Sequence, residues 1–297
     1  MQVRELMTER RNPATENLDR MNALEIVTAM NREDAVVPHA IQEALPEIAK
    51  AVDLVAQRLA KGGRMIYVGS GTSGRIGALD ASECPPTFGV DPKVVQFMIA
   101  GGNKALTKAV EGSEDSAELG RKDMAAKKPG TRDVVVGIAA SGFTPYTISA
   151  LKYARTKGAA TVAIAFNHDA PLGKVADISI EAEVGPEVLT GSSRLKSGTA
   201  EKLICNMLTT GAMVRLGYVY SNLMVNLHLK NKKLLERAIT ILESLAHVER
   251  AVAVKTLNQA DMKVPVALVM LKMHVDKDEA VRRLRKASGN VRRAIEG

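Results

Sequence analysis

The stretch Met65-Ile-Tyr-Val-Gly-Ser-Gly-Thr-Ser-Gly-Arg75 constrains the fold of this chain more than any other. Met65 to Val68 reads as a buried strand, and a Gly/Ser/Thr loop follows at once before a helical pattern opens. Gly69, Gly71 and Gly74 let the backbone turn tightly and come close to a ligand. Ser70, Thr72 and Ser73 offer hydroxyl donors, and the following helix aims its free N–H groups at the same spot, a setting that suits an anion and most often a phosphate. No Lys-Ser or Lys-Thr follows the last glycine, so this is not a Walker loop. Gly69 to Gly74 fits the dinucleotide-binding spacing by letter, yet no acidic residue clearly ends a second strand to support it. The same letters also suit a tight strand-to-helix turn closed by hydroxyl caps.

Short apolar runs rich in β-branched residues recur at 64–69, 94–99, 133–138, 160–165 and 177–181, with helical stretches between them at 74–82, 103–111, 114–127 and 145–157. That alternation predicts an α/β fold: a doubly wound, five-stranded parallel sheet covered on both faces. The third strand ends much as the first does. Ala139-Ala-Ser-Gly-Phe-Thr-Pro145 sets Ser141, Gly142 and Thr144 before a helix, with Pro145 suited to its first turn. In a sheet ordered 2-1-3-4-5, the carboxyl ends of strands one and three flank the switch point, where ligands bind. Two hydroxyl-rich loops converging there make a binding crevice the expected reading.

A third polar stretch, Gly185 to Thr199, precedes an apolar helix at about 200–216. Ser192 and Ser193 offer donors to an anion, and Arg194 and Lys196 offer charge to neutralise it; alternatively the stretch is a capped helix start with solvated cations. Leu203 to Leu229 is apolar around much of its circumference, which suits a core or a subunit interface. Residues 1–45 read as an arm of two short helices, 46–62 as an amphipathic helix leading into the first strand, and 232–297 as a small helical unit with segments at 232–245, 248–257, 261–272 and 277–285. The expected domains are therefore an arm (1–45), a sheet domain (46–231) and a helical unit (232–297).

Composition narrows the function. The net charge is +8, but 281–297 alone holds six Arg/Lys and one Glu, or +5, which leaves +3 for the rest. The basicity belongs to the tail and reads as a solvated helix face, not a nucleic-acid footprint. Aromatics make up 3% and Trp is absent, so base stacking is no major theme. Two cysteines and five scattered histidines show no metal-ligand spacing, and no metal or cofactor is expected. Met1 to Arg11 is charged, and the longest apolar run, Val264 to Leu271, is too short to span a bilayer, so a cytoplasmic protein is expected.

Two carboxylates stand out near the crevice. Glu83 lies in Asp80-Ala-Ser-Glu-Cys-Pro-Pro86, and Glu114 in Glu111-Gly-Ser-Glu-Asp-Ser116. Bracketed by Pro, Gly and Ser, they are candidates for general acid and base. Gly69 to Gly77, Ala81 to Phe88, Glu111 to Asp115, Gly185 to Gly198, Glu9-Arg-Arg-Asn-Pro13 and Met30-Asn-Arg-Glu-Asp34 together resemble the N-acetylmuramic acid 6-phosphate etherase family. That family is similar to the glucokinase regulatory protein and belongs to the sugar isomerase (SIS) fold group. The resemblance implies a carbon–oxygen lyase that converts N-acetylmuramic acid 6-phosphate to N-acetylglucosamine 6-phosphate and D-lactate, in recycling of the cell wall. It implies Glu83 as the acid and Glu114 as the base, with a phosphosugar as the small-molecule partner. The competing reading is a non-catalytic phosphosugar-binding regulator. Eleven residues separate Thr72 from Glu83. If they are helical, at ~1.5 Å each, Glu83 lies up to ~17 Å from its own loop. Either that helix bends back early or Glu83 reaches a substrate held by a neighbouring chain, and the expectation is a homodimer with a shared active site.

Overall fold

The computed structural model describes residues 6–110, 112–227, 229 and 231–297. Glu111, His228 and the start of the arm at Met1 lie outside them. The chain divides into two compact units, one of Met1–Ser82 and Pro92–Thr209, the other of Glu83–Asp91 and Thr210–Gly297.

The first unit is built on five parallel strands: β1 (Met65–Gly69), β2 (Val95–Ile99), β3 (Val134–Ile138), β4 (Ala160–Ala165) and β5 (Ile178–Glu181), in the order β2-β1-β3-β4-β5. Every residue of β1, β3 and β4 is buried, as strands covered on both faces must be. On one face Ile66, Val68 and Val135 pack with Met124 of α4 (Ala117–Lys127) and Tyr146, Ala150 and Leu151 of α5 (Pro145–Thr156). Residues alternate in direction along a strand, so Tyr67 looks the other way. Its hydroxyl donates to Asp80 at 2.8 Å and lies 3.2 Å from the Cys205 carbonyl oxygen. Asp80 lies on α3 (Gly71–Phe88) and Cys205 on α7 (Lys196–Leu216). Asn206 and Thr209 of α7 also donate to Asp80, at 2.6 and 3.2 Å, so this buried carboxylate ties strand and both helices together.

Several elements differ from the sequence expectation: α3 runs past the expected 82 to Phe88, and the short helices Pro171–Lys174 and Val291–Glu296 are not among those expected. The arm holds one helix, α1 (Ala23–Asp34), after three single 3-10 turns, and not two short helices. The amphipathic helix starts nine residues early, as α2 (Val37–Ala60). Its buried positions Val37, Ile41, Ala44, Ile48, Ala51 and Val55 step by four and three without a break. Pro38 sits in the first turn, where no N–H is needed, and Pro46 lies on the exposed side. Among the described residues of the 103–111 stretch, a 3-10 turn, Gly102–Leu106, stands in place of a helix. After α7, Gly217 adopts a left-handed φ of +85° that ends the helix, and a hairpin of β6 (Val219–Tyr220) and β7 (Leu223–Met224) follows. The short α6 (Pro171–Lys174) joins β4 to β5.

In the second unit, α8 (Lys232–Ala246), α9 (Arg250–Gln259), α11 (Lys277–Lys286) and α12 (Val291–Glu296) surround α10 (Val264–Met273), whose Val264, Val266, Ala267, Leu268 and Val269 form the centre of its core. Among the described residues no helix is long and apolar enough to cross a membrane.

Candidate active site

β1 and β3 are neighbours in register, with Gly69 beside Ile138, so the loops that leave them open side by side. α3 begins at Gly71 immediately after β1. Gly74 allows that abrupt start: a Cβ there would stand 2.8 Å from the Gly69 carbonyl oxygen and 2.5 Å from Ile99. From β3 the chain runs through Ala139 to Thr144, and Gly142 turns it with a φ of +77°. The first N–H groups of each helix have no partner within the helix, and the helix dipole adds partial positive charge at that end.

A cleft of about 390 Å³ opens between these two helix starts. Ser70, Gly71, Thr72 and Ser73 line one side, and Ala139, Ser141, Phe143, Thr144 and Pro145 the other. Ser70 lines the cleft, and its hydroxyl is buried without a hydrogen-bond partner. The Ser141 hydroxyl accepts from the Phe143 N–H at 3.2 Å, which holds the loop open and leaves the O–H proton for a ligand.

Three carboxylates share the cleft: Glu9, Glu114 and Asp115. Glu114 and Asp115 come from the loop before α4, whose first turn is capped by Ser116. Glu9 comes from the arm. Asn167, at the carboxyl end of β4, accepts from the Met7 N–H at 2.7 Å and donates to Thr8 Oγ1 at 3.2 Å and to the Ser141 carbonyl at 3.1 Å. One buried amide thus fastens the arm to the phosphate-type loop. Local sequence pattern does not mark Thr8, Glu9, Asp115 or Asn167 as site residues. The available signal was the Glu9 to Pro13 stretch, which carries the family resemblance but reads locally as a polar arm.

Of the other expected site residues, Ser193 lines the cleft, while Gly142, Ser192 and Lys196 do not. Lys196 is 2% exposed, and its ammonium donates to Glu33 of α1 at 2.6 Å. Asn12 donates to the same Glu33 oxygen at 2.8 Å and to the Pro186 carbonyl at 3.0 Å. Burial raises the Glu33 carboxyl, but the Lys196 and Asn12 bonds overcome it and hold it below its ordinary value. The first N–H groups of α7 are also taken: Lys196 N and Ser197 N donate to the buried Glu187 carboxylate at 2.9 and 3.0 Å. No lysine or arginine is found among the described residues that line the cleft, so an anion there meets hydroxyls and helix N-termini. Glu83 is exposed on α3 and does not line this cleft.

Residues 47–155 match the profile of the glucokinase regulatory protein N-terminal SIS domain, and residues 107–211 that of the SIS domain. Similarity to curated proteins extends over almost the whole chain. An N-acetylmuramic acid 6-phosphate etherase of Histophilus somni is 51% identical over 99% of this chain and 97% of that protein. One from Serratia proteamaculans is 52% identical over 99% of both chains. One from Clostridium beijerinckii is 48% identical over 100% of this chain and 97% of that protein. Among solved structures, a phosphoheptose isomerase from Francisella tularensis shares the fold, with a TM-score of 0.50 and 20% identity over 65% of this chain and 98% of its own.

Proposed function

The chain belongs to the N-acetylmuramic acid 6-phosphate etherase family, and from that premise we propose that it cleaves the lactyl ether of N-acetylmuramic acid 6-phosphate, releasing D-lactate and N-acetylglucosamine 6-phosphate. The observation that carries the reading is the cleft of two hydroxyl-lined helix starts with carboxylates opposite them, the orphaned Ser70 hydroxyl among its walls. The phosphate would take donors from Ser70, Thr72, Ser73, Ser141, Thr144 and Ser193, together with the N–H groups of the helix starts.

The chemistry is a lyase reaction followed by hydration. In the open-chain sugar the C1 aldehyde acidifies the hydrogen on C2. A carboxylate removes that proton, the electron pair forms the C2–C3 double bond, and the C3–O bond breaks. The departing lactate oxygen takes a proton from an acid, and water then adds at C3. Glu114, in the cleft wall, is our base, and Glu83 our acid.

Residues Thr72 to Glu83 are helical throughout α3, so Glu83 stands about 17 Å along the helix from Thr72 at ~1.5 Å per residue. A sugar phosphate is shorter than that. We therefore assign the acid to a second copy of the chain, with two symmetric shared sites in a homodimer. α1 supports this reading, because it has no buried residue and exposes Leu24 (73%) and Val27 (56%). The test is lactate release by the purified protein supplied with the phosphosugar. Binding without lactate release would favour instead a regulator, in keeping with the profile matched over residues 47–155.

A further inference from the structure

Directly beneath the anion loop lies a carboxyl group that the proposed chemistry does not use. Glu201 of α7 is 1% exposed. Its Oε1 lies 2.6 Å from the hydroxyl of Ser73, which lines the cleft. Its Oε2 is buried without a hydrogen-bond partner. A carboxylate with one bond and no counter-ion in so dry a place is costly, whereas the neutral acid leaves only one carbonyl acceptor unmatched.

The surroundings offer no relief. Along α7, Cys205 lies one turn on, and Lys196, one turn before, is already paired with Glu33. Glu187 caps the start of the same helix. From the sheet side come Asp80 of α3 and Tyr67 of β1. Besides Tyr67, the groups felt by the Cys205 thiol are Asp80 and Glu201, both acids.

A hydroxyl has one proton to give. If Glu201 were ionised, it would claim the Ser73 proton, and Ser73 would present only lone pairs, with a negative charge behind them, to an anion in the cleft. We propose that Glu201 is a positioning residue for the anion loop: as a neutral acid it donates to Ser73 Oγ and so turns the Ser73 proton toward the cleft, where a phosphate accepts it. This rests on the phosphosugar reading of the cleft. Burial pushes the Glu201 carboxyl up to about 8, partly offset by Ser73. The relay is therefore set below that pH and lost above it, and anion affinity falls as pH rises through it.

The test is the affinity for N-acetylglucosamine 6-phosphate from pH 7 to pH 9, measured by calorimetry on the wild-type protein and on E201Q. A phosphate monoester has its second pKa near about 6, so the ligand keeps its charge across this range. Wild-type Kd should rise about tenfold over the interval, following the loss of the protonated form. E201Q should stay within about twofold, because its amide donates to Ser73 at every pH. Equal pH dependence in the two proteins overturns the proposal. Failure of the wild-type protein to bind at any pH defeats the phosphosugar reading itself, whereas binding by the wild type with none by E201Q overturns the relay alone. A second measurement needs no variant. Ordinary carboxyls are ionised at pH 7, so the infrared carbonyl band of a protonated acid should be present in the wild type at pH 7 and gone at pH 9. Its absence at pH 7 overturns the proposal whatever the ligand does.

Discussion

The backbone carbonyl of Glu114 accepts a 3.0 Å hydrogen bond from the N–H of Tyr146, the second residue of α5. The Tyr146 hydroxyl in turn donates to Asp123 of α4 at 2.9 Å. A loop carrying two acidic residues is thereby pinned to the helix start that presents Ser141 and Thr144. The distance from the proposed base to the proposed phosphate site is set by backbone and core contacts, not by a free-swinging loop.

S141A and T144A should weaken phosphosugar binding more than they slow turnover. Each removes one donor to a charged group, a loss of about 1.5–3 kcal/mol, which reads as KM raised roughly tenfold to a hundredfold with kcat little changed. An unchanged KM in both variants, and unchanged inhibition by inorganic phosphate, would remove these hydroxyls from the binding site.

E83Q and E114Q should remain folded, since both side chains are exposed, and should lose about 10²–10⁴ in kcat. If Glu114 is the base, E114Q should also lose exchange of the C2 hydrogen with deuterated solvent, read by NMR of the sugar. Near-wild-type turnover by E114Q would leave the base elsewhere, with Glu9 and Asp115 the remaining carboxylates in the cleft.

Mixing two inactive proteins, E83A and the S141A/T144A double variant, should restore activity once subunits exchange. In a shared site the mixed dimer joins the sound cleft of one copy to the sound Glu83 of the other, and approaches one working site per dimer. Proven exchange with no recovery of lactate release means that Glu83 serves its own chain.

E33Q should destabilise the protein by about 3–5 kcal/mol, because it leaves the Lys196 ammonium buried without its counter-ion. The urea midpoint reads this directly, and a shift worth less than about 1 kcal/mol would show that water reaches Lys196.

Glu201 also leaves a mark on stability. Unfolded, it ionises as an ordinary glutamate near about 4.3; folded, it keeps its proton up to about 8. Between those values the folded state holds one proton more than the unfolded state. Stability therefore falls as pH rises, by at most about 1.4 kcal/mol per pH unit, and levels off above the folded value. E201Q removes this slope: its Tm should match the wild type at pH 4 and exceed it at pH 8. A difference in Tm that stays constant between those pH values contradicts a buried neutral acid.

The sheet was legible because its strands are short apolar runs separated by turn residues and helical stretches, and the two hydroxyl loops after β1 and β3 could be matched by type alone. Local pattern says less where a distant residue decides the outcome. Lys196 reads as an exposed cation beside two serines, yet its partner Glu33 is 163 residues away. Glu201, followed directly by Lys202, looks like a solvated charge pair, and only the packing of α7 beneath the anion loop buries it. Pro38 and Pro46 suggest helix breaks, but the four-and-three spacing of buried residues in α2 runs past both. After Gly217 the apolar composition persists while the backbone changes to a hairpin, because hydrophobicity alone does not distinguish a helix from two short strands.

Asn167 joins Met7 and Thr8 to the loop at Ser141 across 160 and 159 residues of chain. During synthesis, Thr8 and Glu9 leave the ribosome long before β4 exists, and they wait unattached until the strand and its asparagine emerge. The wall of the cleft made first is thus among the last to find its place. A nascent chain halted before Asn167 would carry both hydroxyl loops but neither this anchor for the arm nor Ser193, so the binding pocket is closed by segments made after the loops that shape it.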